Sequence, residues 1–309
     1  MALIFLLLIP STFAHSENYV RVLNNTFQCN QLGYIYTSMK SKLSCGTACS
    51  STNGCNGFVY HKKDHACQLC DECPSSGSYF QFDKDDWVYS LASFDKDGPL
   101  WPTGTYGLPM ALANCPLNSA DYHWETGWEI QYRSEEDMTW STSIHWKTGN
   151  YAAKYANQTF CMKAESSRTK FCRWPIGSYC IFRKDGICPD GLQEGTIKFD
   201  DSDTNSPLPF AGAVPDGILA PKLNTRLWYC CRNDGDINQP IVLPTDVPFY
   251  LFQKDPRGCQ SVDGMHAFQE WFYYDTEDTD NADESKGAVP HANRFGTGYK
   301  LFYCYYEKT

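Results

Sequence analysis

The chain has 309 residues, 42% hydrophobic and 20% charged, with a formal net charge of −10, which is room for two globular domains. The acidic balance argues against nucleic acid as a partner, because phosphate binding needs a cationic footprint, and by the same logic against anionic membrane surfaces. Neutral glycans and divalent cations remain compatible with it, and the 15% aromatic content favours strands.

Residues 1–14 read as a signal peptide: a short apolar run from Leu3 to Ile9, then small residues ending at Ala14, with no basic start. No later run is long enough to span a bilayer, so a secreted, extracellular protein is expected. Sixteen cysteines agree with an oxidising compartment. Cys70 and Cys73 form a lone CxxC, without the second pair that a zinc finger needs. In a secreted chain the sequons at Asn24 and Asn157 become glycosylation sites.

Residues 18–92 hold seven cysteines and form the first unit. Ser41 to Ser51 predicts a short amphipathic helix with Cys45 and Cys49 on one face. Phe58-Val59-Tyr60, Cys67-Gln68-Leu69 and Trp87-Val88-Tyr89 predict short strands. The pattern Cys45-x3-Cys49-x5-Cys55-x2-Phe58-x-Tyr60, continuing to Cys67-x-Leu69, resembles the PAN/apple family. That resemblance implies a helix stapled to a small sheet, with Cys49 joined to Cys55, Cys45 to Cys67, and Cys29 to Cys70 or Cys73. It also implies a contact with proteins or carbohydrates. One cysteine is left over.

Residues 93–99 are a polar linker. Residues 100–306 then carry one block three times. It opens with Trp101-Pro-Thr-Gly-Thr-Tyr106, with Trp174-Pro-Ile-Gly-Ser-Tyr179, and weakly with Leu243-Pro244 before Phe249-Tyr250. Each opening is followed by a cysteine (Cys115, Cys188, Cys259), an acidic cluster and a closing aromatic-cysteine pair (Phe160-Cys161, Tyr229-Cys230, Tyr303-Cys304). Gly-Ala-Val-Pro occurs at 212–215 and again at 287–290. About four short strands per block are expected, giving a compact β domain with three pseudo-repeats, or else a sandwich of unequal sheets. The whole chain is thus read as mostly β with a small α+β module at its N-terminus.

Symmetry among the blocks pairs Cys115 with Cys161, Cys188 with Cys230 or Cys231, and Cys259 with Cys304. Cys172 and Cys180 are close enough in sequence to close a short loop. Seven cysteines in the first unit and nine in the second are both odd counts, which one disulfide between the units would balance.

Trp101 to Pro109 with Asn114-Cys115-Pro116, Trp174 to Phe182, Cys188-Pro189, Tyr229-Cys-Cys-Arg232 with Asp234-Gly235, and Tyr303-Cys-Tyr-Tyr306 together resemble the apextrin C-terminal (ApeC) domain family. The resemblance covers residues 100–306. It implies an extracellular invertebrate protein that recognises bacterial cell wall, notably peptidoglycan, or that works in adhesion and developmental matrices. The first acidic motif departs from the family's, reading Ser134-Glu135-Glu136-Asp137 with Trp140 downstream.

Two residue groups are candidates for a site. Trp124, Trp128, Trp140 and Trp146, with Arg133 among them, offer flat apolar faces for a sugar and a guanidinium for a carboxylate. Asp200, Asp201, Asp203 and Asn205, and likewise Asp275, Asp278 and Asp280, are oxygen-rich loops of the kind that bind calcium or simply stand solvated in turns. No other cofactor is called for. His123 beside Asp121, or His266 near Glu270, would make an acid–base pair. The nucleophile, zinc-protease and phosphate-loop motifs are all missing, so a binding protein is expected rather than an enzyme.

Overall fold

Cysteines organise the first unit of the chain. In the computed structural model the described residues are 19–21, 30–36, 41–52, 55, 57–71, 87–91, 100–119, 122–132, 140–141, 144–146, 155–165, 173–200, 209–219, 224–275, 283–295 and 298–309. The expected signal peptide (residues 1–14), Asn24, Cys29, Cys73, the expected linker (residues 93–99) and Cys172 lie outside them. Strands β1 (Tyr19–Arg21), β2 (Asn30–Tyr36), β3 (Gly57–His61), β4 (Ala66–Asp71) and β5 (Trp87–Leu91) form an antiparallel sheet in the order β1-β5-β3-β4-β2.

Helix α1 (Lys42–Ser50) starts at Ser41, whose Oγ accepts from the Ser44 N–H at 3.3 Å, the ordinary N-cap arrangement. Its buried face presents Cys45 and Cys49, which are joined to Cys67 on β4 and to Cys55. Phe58, Tyr60 and Leu69 complete a small core. A core of that size leans on cross-links for stability. Cys70 is also disulfide-bonded.

The second sheet has thirteen strands: β6 (Tyr106–Pro109), β7 (Tyr122–Tyr132), β8 (Tyr155–Glu165), β9 (Ser178–Arg183), β10 (Gln193–Asp200), β11 (Phe210–Gly212), β12 (Gly217–Leu219), β13 (Asn224–Asn233), β14 (Phe249–Gln253), β15 (Met265–Asp275), β16 (Glu284–Gly287), β17 (Ala292–Phe295) and β18 (Gly298–Lys308). Three antiparallel sets share one pattern, in which the last strand lies between the other two: β6-β8-β7, β9-β13-β10 and β14-β18-β15. The short first strands meet at the centre, where β9 pairs with both β6 and β14.

These central strands are buried on both faces. Cys180, Phe182, Tyr250 and Phe252 face one core cluster, and Tyr179, Ile181, Phe249 and Leu251 face the other. That is why they read as unbroken apolar runs rather than alternating ones. The opening motif has a local cause as well. The Tyr106 hydroxyl donates to the Pro102 carbonyl at 2.9 Å, and the Tyr179 hydroxyl donates to that of Pro175. Trp101 meets Trp124 and Phe249 edge-on, with centroids 5.4 and 5.0 Å apart.

Each set carries one equivalent disulfide: Cys115–Cys161, Cys188–Cys230 and Cys259–Cys304. The expected Cys172–Cys180 loop does not form. Cys180 stands directly opposite Cys231 in the β9–β13 ladder and is joined to it. The neighbours Cys230 and Cys231 point to opposite faces of the strand, so both find partners.

Candidate functional site

The three sets are fastened to one another at three junctions. In the first, β11 of the second set lies on β7 of the first, Gly212 opposite Gly127, and the Ala213 N–H donates to the Thr126 carbonyl at 3.1 Å. In the second, β16 of the third set lies on β10 of the second, Gly287 opposite Gly195, with the Ala288 N–H 2.9 Å from the Glu194 carbonyl. A Cβ at Gly127 would stand 1.9 Å from the Ala213 oxygen, and one at Gly195 2.2 Å from that of Ala288. Gly212 and Gly287 have φ of +72° and +71°, a conformation that side chains disfavour. The shared Gly-Ala-Val-Pro is therefore a docking strand.

The third junction is different. Trp140 and Ser141 of the first set lie on β15 of the third, where Trp140 bridges to Phe272 and the Ser141 N–H donates to the Trp271 carbonyl at 3.1 Å, and residues 144–146 follow at the same junction. Gly127 stands opposite Phe160 and Gly195 opposite Tyr229, but the residue opposite Tyr303 is Glu270.

Glu270 is 2% exposed. One carboxylate oxygen accepts from the Tyr250 hydroxyl, and the other lies 2.6 Å from His145 Nδ1. The His145 backbone N–H donates to the Tyr250 oxygen at 3.0 Å. The imidazole stacks flat on Tyr305, with centroids 4.1 Å apart and an interplanar angle of 4°. Burial first, and then the Glu270 charge, hold the Tyr250 hydroxyl far above its ordinary range, so it remains a donor. His145 keeps 34% of its side chain exposed. A buried carboxylate fixes the ring's orientation while the exposed part of the imidazole can still hydrogen-bond an outside group. At the same junction Trp140 is 37% exposed and stacks on Phe272, two residues along β15 from Glu270, with centroids 6.3 Å apart.

Of the tryptophans expected as a platform, only Trp140 offers an exposed face. Trp124 and Trp146 are corrections: at 8% and 4% exposure they are core residues. Trp146 donates its indole N–H to the Thr159 carbonyl. Trp128 is half-buried, opposite Ala211 in the β7–β11 ladder. Arg133 lies outside the described residues. The expected His266–Glu270 pair is also corrected, because His145 occupies that carboxylate and His266 packs edge-on against Phe268 at 4.4 Å.

His123 and Lys184 both approach Glu125 at the surface, at 3.6 and 3.0 Å. Arg232 is held in its turn by Asp234 and by the Trp174 carbonyl.

Among the acidic residues, Asp200 ends β10. It is 7% exposed, with Lys198 Nζ 3.4 Å from its carboxylate, and its N–H donates to Asp283. Asp275 ends β15. Asp201, Asp203, Asn205, Asp278 and Asp280 lie outside the described residues, among which no cluster of three metal-binding side chains occurs. Asn157 sits within β8, half-buried, its side-chain oxygen enclosed without a hydrogen-bond partner. Among the described residues, no helix is long and apolar enough to cross a membrane.

Sequence reasoning missed the pairing of His145 with Glu270. Spacing does not show it: Gly127 and Glu270 each lie 34 residues before their closing cysteines, Cys161 and Cys304, whereas Gly195 lies 35 before Cys230, so only the strand register reveals that the third copy carries a charge where the others have glycine.

No curated protein matches the chain, and no solved structure does. Residues 101–306, which hold all three sets and all three junctions, match the family model described as the C-terminal domain of apextrin, ApeC, and the chain belongs to that family.

Proposed function

We propose that this is a secreted recognition protein that binds bacterial peptidoglycan or a related glycan, without catalysing a reaction on it. The three sets are read as diverged copies of one unit, and the face of the third junction as the contact surface. The observation that carries this reading is the exposed Trp140 ring at the same junction as the carboxylate-backed His145, in a chain of the ApeC family. A flat indole suits the C–H face of a sugar, and an imidazole at the same junction supplies the hydrogen bond that orients it. The first unit is read as PAN/apple-like from its cysteine-stapled helix, adding a second contact that raises avidity on a repetitive surface. Secretion is supported by the apolar N-terminus and the disulfide framework.

The test is retention of the full chain on insoluble peptidoglycan, with and without Trp140→Ala. Retention equal to that of an unrelated secreted protein rejects the reading. A second reading, an adhesive or matrix protein working through protein contacts, is favoured by the exposed apolar tips at Leu112 and Ile187, 58% and 75% accessible. Homopolymer formation without bacterial binding would select it.

A further inference from the structure

The second and third sets present the same outer face with different charges. In the third set, His291, Phe302 and Trp271 stand side by side across β17, β18 and β15, His291 just ahead of β17 with its carbonyl accepting from the Phe302 N–H at 3.2 Å. Asn293, Lys300 and Tyr273 make the next row. In the second set the first row is Asp216, Trp228 and Thr196, and the next is Ile218, Arg226 and Lys198. Successive residues of a strand face opposite ways, so Trp271 points away from Glu270 and Phe272, and this face is separate from that of His145.

The second face neutralises its own cations. Arg183 lies over the Trp228 ring, 3.8 Å from its centroid, and pairs with Asp216 at 2.7 Å and Glu194 at 2.9 Å. Arg226 pairs with Glu284 at 3.3 Å, and Lys198 with Asp200 at 3.4 Å.

In the third set the first two of those carboxylates are replaced. Gln253 and Gln269 stand where Arg183 and Glu194 stand in the second, and they bond each other at 2.6 Å. His291 takes the place of Asp216 and stacks on Phe302, with centroids 4.9 Å apart. Lys300 takes the place of Arg226. Its ammonium lies 3.7 Å from the centroid of Trp271 and 5.5 Å from that of Phe302, and it pairs with no carboxylate among the described residues. Aromatic faces attract an ammonium but give its N–H donors no oxygen. Burial, the largest effect, holds His291 below its ordinary range, so Lys300 is the one cation of these two rows at neutral pH.

The occupant is narrowed by charge and by the rings. A chain with a net charge of −10 repels polyanions such as nucleic acid or an acidic protein, so a partner that brings a single negative charge is favoured. Half-buried rings beside the exposed Asn293 amide suit a sugar, whose ring carries apolar C–H faces and hydroxyls together.

We propose that the outer face of the third set binds a singly charged acidic sugar, with its carboxylate or sulfate ester on the Lys300 ammonium and its ring against Trp271 and Phe302. This site does not rest on the peptidoglycan reading of the third junction.

The experiment uses the full chain with ¹⁵N-labelled tryptophan, titrated at constant pH and ionic strength with glucuronate, glucose 6-sulfate, glucose and glucosamine. The Trp271 indole resonance is assigned by its loss in Trp271→Phe. At least one acidic sugar is expected to shift it saturably, with affinity about tenfold or more above that of glucose, as a charge-assisted hydrogen bond implies; the arm that responds names the anion as carboxylate or sulfate. Lys300→Gln is expected to reduce the acidic sugar to the level of glucose, and Lys300→Arg to keep the preference. Asn293→Glu, at an exposed position beside Lys300, supplies a carboxylate from within and is expected to do the same as Lys300→Gln if that variant fails to fold. No shift with either acidic sugar, an equal response to glucose or glucosamine, or a preference that survives loss or neutralisation of the Lys300 charge overturns the proposal. Loss of peptidoglycan retention with the shift intact rejects the recognition reading alone.

Discussion

Two junctions of the ApeC region close on backbone through paired glycines, and the third adds a cluster of polar side chains to its backbone contact. Where β11 meets β7 and β16 meets β10, paired glycines let main chain lie against main chain, and the space for a Cβ is already filled. Where Trp140, Ser141 and residues 144–146 meet β15, the glycine pair is missing, and a carboxylate, an imidazole and two tyrosines stand beside the backbone bridge. The lesson concerns variability. A backbone contact at van der Waals distance tolerates no side chain, whereas a contact made by side chains can change chemistry while the strands stay in place. The third junction is therefore where this fold can acquire a function without losing its framework.

The largest expected effect comes from filling a backbone junction. Gly127→Val or Gly195→Val should destabilise the protein by about 3 kcal/mol or more, since the obstructing atoms are backbone and cannot step aside. Thermal or denaturant unfolding measures it, and a loss under about 1 kcal/mol would break the comparison. Glu270→Ala comes next. It strands the Tyr250 hydroxyl and the His145 N–H groups, at an expected cost of about 2–3 kcal/mol, while Glu270→Gln should recover much of that.

Alkaline pH tests the buried hydroxyls. Burial raises the tyrosines at 106, 179, 229, 250 and 306 well above the free value. Because the folded state holds those protons more tightly than the unfolded chain, their stabilisation is complete below about pH 10. It is lost progressively as pH rises above that value. Tyrosinate absorbance should therefore appear together with unfolding rather than before it. Glu270→Ala removes a charge that raises both Tyr250 and Tyr305, so it should advance the ionisation of those two tyrosines; no difference between the two titrations would count against the geometry of the third junction. The smallest effect on stability belongs to Trp140→Ala, about 1 kcal/mol or less for a ring this exposed, set against a large loss of peptidoglycan retention.

Much of the framework was legible because its causes are local or repeated. The Trp-Pro-x-Gly-x-Tyr opening spells a tyrosine hydroxyl returning to a proline carbonyl four residues back. The weaker third opening follows from Phe249, which lacks that hydroxyl. Cys180 was misread because its partner is set by strand register, which no spacing reveals. Nor does any local pattern join His145 to Glu270, 125 residues apart.

Eight of the nine cysteines between residues 100 and 306 are joined among themselves. Cys172 is the ninth. Non-reducing peptide mapping is expected to link its peptide to one from residues 18–92, and a free thiol at Cys172 would end that expectation.

The long separation between His145 and Glu270 also bears on how the protein is made. The first two junctions join sets that are neighbours along the chain, but the third brings the last set back to the first. Trp140, Ser141 and residues 144–146 cannot be seated until β15 has left the ribosome, and contacts of such high sequence separation form late. A nascent chain that stops short of Glu270 keeps Trp146 without its place between Phe272 and Tyr303. Closure of the third junction thus waits for synthesis of the third set, and a chain that stops short of it displays to chaperones the aromatic segment that closure buries.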